Sequence, residues 1–299
     1  MNVETDFTAI SYARHEANRS HNAHTWLAED TVDAWRHRRM YATIDPLLEE
    51  YPGARWLTLG DGRYATDARY LRGRNAQVVA TDISDDLLRE AHRQGLIDAY
   101  SKENAEALSF ADGSFDFALC KEAYHHFPRP MKALYEMLRV ARRGVLLIEP
   151  LDRCALPSNF LSFTNGLKSL ASALLGRGTS PHEYEPVGNY VYSLSEREIE
   201  KVALGLNLPA VAFRGLNDCY CPGVEQERAV DASPLFRKVR RKIRLLDICS
   251  KLGLYPTPLL IALILKESVS PSLRQRLRAA GFRVNDLPRN PYVQTSQAA

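Results

Sequence analysis

Short apolar runs alternate with helical stripes between residues 55 and 148. The runs at 55–59, 77–81, 115–120 and 145–148 are almost continuously apolar, as strands covered on both faces are. Between the first two, Ala65, Ala68 and Leu71 share one side of a segment that Gly73 stops. A second helix is expected from Asp85 to about Arg93, with Ser84 as its N-cap. Pro130 opens a third, striped by Met131, Leu134, Tyr135 and Leu138 and ended by Gly144. Strands and helices alternating at this spacing predict a parallel sheet with helices on both faces.

Outside that stretch the rhythm loosens. Residues 11–50 read as helical, with Trp26, Trp35, Met40, Ile44 and Leu47 facing inward, and Pro52-Gly53 breaks the lead-in. Beyond Pro150 we expect a helix near 160–175. Ser195 and Glu198 form a capping-box pattern for a helix to about Leu206. Strands follow at 210–214 and 258–265, and a basic helix lies in the insertion 217–257. The fold expected is α/β: a Rossmann-like, doubly wound, mostly parallel seven-stranded sheet with an N-terminal helical cap and two insertions. It reads as one domain. Its parts are a cap (1–52), a cofactor-binding half (53–150), a lid insertion (151–192), a substrate-side half (193–267) and a tail (268–299). The tail holds one short helix and a polar end expected to fray.

Composition changes this picture little. The chain has 299 residues, 45% hydrophobic and 25% charged, enough to bury a core without covalent staples. A net charge of +3 gives no argument for nucleic acid. Five cysteines make no complete disulfide framework, and the Cys219-x-Cys221 pair has no second pair to complete a metal site. The N-terminus has no signal-peptide pattern, and the run at 258–265 is too short to span a bilayer. A cytoplasmic location is expected.

The chemistry starts at the first turn. Gly60-Asp61-Gly62 follows the first strand, Ala65 completes a loose GxGxxA pattern, and Asp82 ends the second strand. Glycines let the backbone bend tightly and approach a ligand, and a strand-end carboxylate can accept two ribose hydroxyls. The turn alone admits either a nicotinamide dinucleotide or S-adenosylmethionine.

From Trp56 to Pro150 the chain resembles the class I S-adenosylmethionine-dependent methyltransferases of small-molecule type. The resemblance rests on LGDGRYA, VVATDIS followed by LLREA, NAEALSFADGSFDFALC, KEAYHHF, and LYEMLRV…GVLLIEP. It implies S-adenosylmethionine as cofactor. Gly60, Asp61 and Gly62 would face its methionine and ribose, Asp82 would bind the ribose hydroxyls, and Ile83 would lie against the adenine. Asn104, Ala105 and Glu106 would meet the adenine edge, and Lys121 would lie under the sulfonium. The chain departs from the family at Thr58, where an acid is usual, at Tyr64, where a third glycine is usual, and at Asn104, usually Asp.

His125 and His126 follow the fourth strand, where an imidazole can take a proton from an acceptor. Either is a candidate general base or a pocket-wall histidine. Glu122 is a candidate to orient an imidazole. Tyr124, Glu149, Tyr184 and Tyr190 are candidate substrate contacts, the last two on the lid. Arginines 36, 38 and 39 in the cap are either a solvated face or a source of one cation for the cofactor's carboxylate. The basic run 237–244 is a solvated helix face, or a dock for an anionic substrate or a membrane surface. No N/D-P-P-Y follows the fourth strand, so nucleic acid is not expected as substrate.

The reading is methyl transfer to oxygen on a small or medium organic acceptor, a sugar or secondary metabolite. A homodimer is the one protein partner left open. The alternatives are an NAD(P)-dependent oxidoreductase and a non-catalytic cofactor-binding protein of the same fold.

Overall fold

The computed structural model describes residues 13–14, 23–152, 184 and 189–293. Eight strands form one sheet: β1 (Arg55–Leu59), β2 (Gln77–Asp82), β3 (Tyr100–Lys102), β4 (Phe115–Lys121), β5 (Ala141–Pro150), β6 (Ala210–Leu216), β7 (Leu259–Leu265) and β8 (Arg283–Asp286). Their order across the sheet is β3-β2-β1-β4-β5-β7-β6-β8. Strands β1 to β5 pair in parallel, whereas β7 runs antiparallel to both β5 and β6. The order reverses between β1 and β4, and a crevice opens at the carboxyl ends of strands at such a point.

Among the described residues, eight α-helices lie around the sheet: α1 (Val32–Tyr41), α2 (Asp45–Glu50), α3 (Thr66–Arg72), α4 (Asp86–Arg93), α5 (Pro130–Val140), α6 (Glu196–Gly205), α7 (Pro234–Lys251) and α8 (Pro271–Ala279). The alternation along β1 sorts them. Leu57 and Leu59 pack with α5 and α6 on one face. Trp56 packs on the other, with Met40 of α1, Leu47 of α2 and Leu273 and Leu277 of α8. Among the described residues no helix is long and apolar enough to cross a membrane.

Several expectations need correction. The sheet has eight strands, because β8 adds an edge strand to β6 from within the expected tail. Ser84 does not cap α4: its own N–H is held by the Asp82 carboxylate at 3.0 Å, and Asp85 takes the cap position. Tyr135 is exposed, and α5 buries Ala133, Leu134, Met137 and Leu138 instead. Gly144 does not end that helix but lies inside β5. The helix expected at 160–175 and the fraying end at 294–299 lie outside the described residues. The capping box at Ser195 and Glu198 is formed in both directions.

Gly144 is glycine because of its neighbour strand. A Cβ there would lie 2.6 Å from the Ile264 carbonyl oxygen of β7, a backbone atom that cannot step aside. Gly144→Ala is therefore expected to destabilise the fold by about 1–3 kcal/mol, as overpacking does, read from the urea unfolding midpoint.

Candidate active site

The turn after β1 is built by side chains as much as by glycine. Gly60 has φ +71°, and a Cβ on it would come within 2.3 Å of the Ala123 Cβ. The first turn thus packs directly on the turn after β4, and its glycine serves that contact. Tyr64 and Ala65 both have positive φ, 52° and 53°. The site where the family resemblance leads one to expect a third glycine thus keeps the glycine-type backbone without the glycine, at a cost of about 1 kcal/mol per residue.

Asp61 was expected to face the cofactor; its carboxylate is committed within the fold. It is buried, accepting from the Thr58 hydroxyl at 2.8 Å and from the N–H groups of Asp67 and Ala68 at 3.0 and 2.9 Å. The last two are free first-turn donors of α3, whose cap position, Ala65, has no side chain to offer. An acid is thus present beneath the turn after all, three residues after Thr58 and hydrogen-bonded to it. Burial, then the neighbouring Asp67 carboxylate, pushes the Asp61 carboxyl well above its usual range.

Asp67 begins a second buried network, between residues that no local pattern joins. It accepts from the Tyr41 hydroxyl at 2.7 Å, and the Lys121 ammonium lies 3.5 Å from the same oxygen. Lys121 is also 3.3 Å from Glu122 and 5.1 Å above the Tyr41 ring. Burial opposes its charge, but Asp67, Tyr41 and Glu122 hold the ammonium well above its usual pKa. Lys121, expected under the sulfonium, is a buried cation paired with Asp67 and Glu122. Burial would raise the Glu122 carboxyl, but the Lys121 ammonium holds it well below the usual range. Glu122 itself has φ +50° and points to His37 of α1, 3.4 Å away. The imidazole beside it is that of His37 in the cap.

Asp82 ends β2 as expected and is nearly buried, one carboxylate oxygen accepting from Ser84. Ile83 beside it is half-buried. In the loop after β3, the Asn104 side-chain oxygen accepts from the Glu106 N–H at 3.0 Å, while the residue stays exposed. Ala105 is half-buried. Glu106 is buried and accepts from both the backbone N–H (2.9 Å) and the guanidinium (2.5 Å) of Arg129, so its carboxylate fixes the loop to the start of α5. The missed residue here is Glu103, a buried carboxylate that accepts from Ser101 and twice from Ser109.

His125 and Glu149 form a dyad. The Nδ1 of His125 is 2.6 Å from Glu149 Oε2, so in the neutral ring Nδ1 carries the proton and Nε2 the lone pair. Glu149 was expected to contact substrate; instead it is fully buried, its other oxygen accepting from the N–H groups of Ala123 and Tyr124 at 3.0 Å each. Tyr124 is also core: its hydroxyl meets the Met131 sulfur at 3.7 Å. His126 is half-buried, its ring 3.9 Å from that of His125 and its Nδ1 3.4 Å from the Asn189 amide. The described part of the expected lid adds three rings, Tyr184, Tyr190 and Tyr192, in edge contact at 5.5 and 4.9 Å. The Tyr192 N–H is bonded to the His125 carbonyl. The rest of the expected lid lies outside the described residues.

The cap docks by ion pairs rather than exposing them. Arg36 binds both oxygens of Asp218, and Arg39 binds the Asn217 carbonyl, so α1 is held to the insertion after β6. A cavity of about 370 Å³ lies between the cap and α3, lined by Trp26, His37, Tyr41, Arg63, Arg69 and other residues. Neither Asp82 nor His125 reaches it.

His37 supplies a pH test of this cap contact. Burial, reinforced by the Lys121 cation, lowers its pKa to about 3. In the unfolded chain it would titrate near 6.5. Between these values the unfolded state binds the extra proton, so stability is full above about pH 6.5 and falls as pH drops. His37→Gln is expected to make the stability loss shallower between pH 6 and 4, by up to about 1.4 kcal/mol per pH unit, in urea titrations at each pH.

Residues 57–148 match a family model described as "Methyltransferase domain", just under a third of the chain. A demethylmenaquinone methyltransferase of Renibacterium salmoninarum is 30% identical over 122 residues, 41% of this chain and 51% of that protein. A malonyl-[acyl-carrier protein] O-methyltransferase of Enterobacter lignolyticus is 30% identical over 107 residues, 35% and 43% of the two chains. The chain spans about half the length of the curated relatives it matches. Among solved structures, a Burkholderia thailandensis 1,6-didemethyltoxoflavin-N1-methyltransferase with bound S-adenosylhomocysteine has a TM-score of 0.49 at 13% identity. The similarity covers 87% of this chain and 89% of that one.

Proposed function

We propose, from the premise that residues 57–148 are a methyltransferase domain, that this chain moves a methyl group from S-adenosylmethionine to a hydroxyl of a small or medium organic acceptor. The observation that carries the oxygen acceptor is the His125–Glu149 dyad, two residues from the Ala123 that packs on the glycine turn.

When bound, S-adenosylmethionine supplies an electrophilic methyl group; the protein supplies position and proton handling. The residues fit it in part. Asp82, at the end of β2, offers a carboxylate to a ribose diol, and the exposed Asn104 amide offers a donor and acceptor at the adenine edge. Asp61, Glu106 and Lys121 are committed to the fold and leave binding to their neighbours and to backbone groups.

A hydroxyl acceptor must lose its proton as it takes the methyl group. His125 Nε2 receives it, while Glu149 holds Nδ1–H and offsets the imidazolium charge that develops. Glu149 can do so without moving, because the two N–H groups on its other oxygen hold it in place. The tyrosines of the lid give the acceptor an aromatic wall, tied to the site by the Tyr192 N–H on the His125 carbonyl. The Enterobacter relative's name records an oxygen acceptor too.

Two measurements test this. In calorimetry with S-adenosylhomocysteine, Asp82→Ala is expected to weaken binding at least about tenfold, roughly 1.4 kcal/mol. Tighter binding of NADH than of S-adenosylhomocysteine would replace the reading with an oxidoreductase. In turnover assays with a hydroxyl acceptor, Glu149→Gln and His125→Ala are each expected to lower kcat about 10²-fold with cofactor affinity kept. Normal turnover in both would remove the dyad from the reaction.

A further inference from the structure

Helix α7 has two apolar faces, and among the described residues only one is covered. Phe236, Val239 and Ile243 are buried against Val32, Trp35 and Val224. On the other side Leu245, Ile248 and Leu252 are 60%, 57% and 67% exposed. They follow at i, i+3 and i+7, so they form one stripe on the helix surface, and Leu254, 51% exposed, extends it just past the helix end. One exposed apolar side chain is ordinary; a stripe of three on one helix face is not.

The charges around the stripe are of one sign. At 3.6 residues per turn, Lys238 and Lys242 fall along one border, Arg244 and Lys251 along the other, and Arg241 among the leucines. All five are exposed. Among the described residues, no carboxylate pairs with Lys238, Arg241, Arg244 or Lys251. The helix contains one acid, Asp247, which is turned to Asn217 and Arg39 at its side. Arg237 and Arg240 are occupied at the helix start by the Asp231 and Ala232 carbonyls and the Asp231 carboxylate.

We propose that this face of α7 docks on an anionic phospholipid surface. Leucine-type side chains enter the boundary between headgroups and acyl chains, while lysines and arginines on both flanks lay their stems alongside and reach the phosphates. The position suits the rest of the chain. The insertion leaves β6 at its carboxyl end, and β6 runs in the same direction as β1 to β5, so α7 stands at the same edge of the sheet as Asp82 and His125. It is bound rigidly to the cap through the Trp35–Phe236 edge contact at 5.1 Å and the Arg36–Asp218 pair. Docking would therefore hold the candidate site beside the lipid surface.

The test is vesicle flotation with the full chain, comparing phosphatidylcholine alone with a mixture containing about one-third phosphatidylglycerol. The protein is expected to float with the anionic vesicles only, and less so as salt is raised. The double variants Ile248→Asp/Leu252→Asp and Lys238→Glu/Arg241→Glu should each weaken that association at least about tenfold. All four positions are exposed, and an unchanged thermal midpoint shows the fold intact. Failure to float with anionic vesicles overturns the proposal, and so does flotation that both variants retain. A self-associating chain that ignores vesicles and becomes monomeric in Ile248→Asp would make the face a contact between copies, and also overturns it. No outcome depends on methyl transfer, so the lipid surface and the proposed reaction stand or fall separately.

Discussion

The carboxyl edge of the sheet depends on one buried carboxylate. Glu149 has no access to solvent, so every lone pair it holds must be met from within. Two backbone N–H groups of the turn after β4 meet one oxygen, and the His125 imidazole meets the other. That arrangement fixes the turn, and Ala123 in the turn packs against the glycine after β1. The two loops that flank the topological switch point are thus tied by one side chain on a third strand. The same bond fixes the imidazole's tautomer, so structural need and proton chemistry share one contact.

A second set of buried charges holds the cap to this edge. Lys121 pairs with both Asp67 and Glu122, the Tyr41 hydroxyl donates to Asp67, and His37 of α1 lies next to Glu122. Buried charges are costly unless paired, so such a cluster specifies a geometry more than it adds stability. Here it fixes where α1 lies. Through Arg36 and Asp218 the same helix carries the insertion that bears α7. Cap, site and insertion are therefore one connected body, and a surface met by α7 is met by the candidate site's edge as well.

The glycine turn shows how this chain departs from the family it resembles while keeping the shape. Tyr64 and Ala65 accept a left-handed backbone where glycine would be at ease. The acid beneath the turn comes from Asp61, bonded to Thr58, and takes over the capping of α3. The substituted positions compensate one another, and the side chain that looked most available to a ligand is the one the fold consumes.

Much of the fold was legible in the sequence, because burial on both faces forces apolar runs and exposure on one face forces stripes. The strands from 55 to 148, the helices between them, the capping box at Ser195 and the basic helix all carry such local marks. So does Asp82, since a strand-end acid is fixed by its own strand. What the sequence could not hold is any contact between distant residues. Tyr41 and Asp67 lie 26 positions apart, and no local pattern joins them. Glu149 reads alone as an acid at a strand end; only the parallel pairing of β4 with β5 brings it under His125. Gly144 reads as a helix stop, and only the approach of β7 makes it a strand glycine. Local periodicity determined the elements; the tertiary structure decided which polar groups are spent on holding them together and which remain for chemistry.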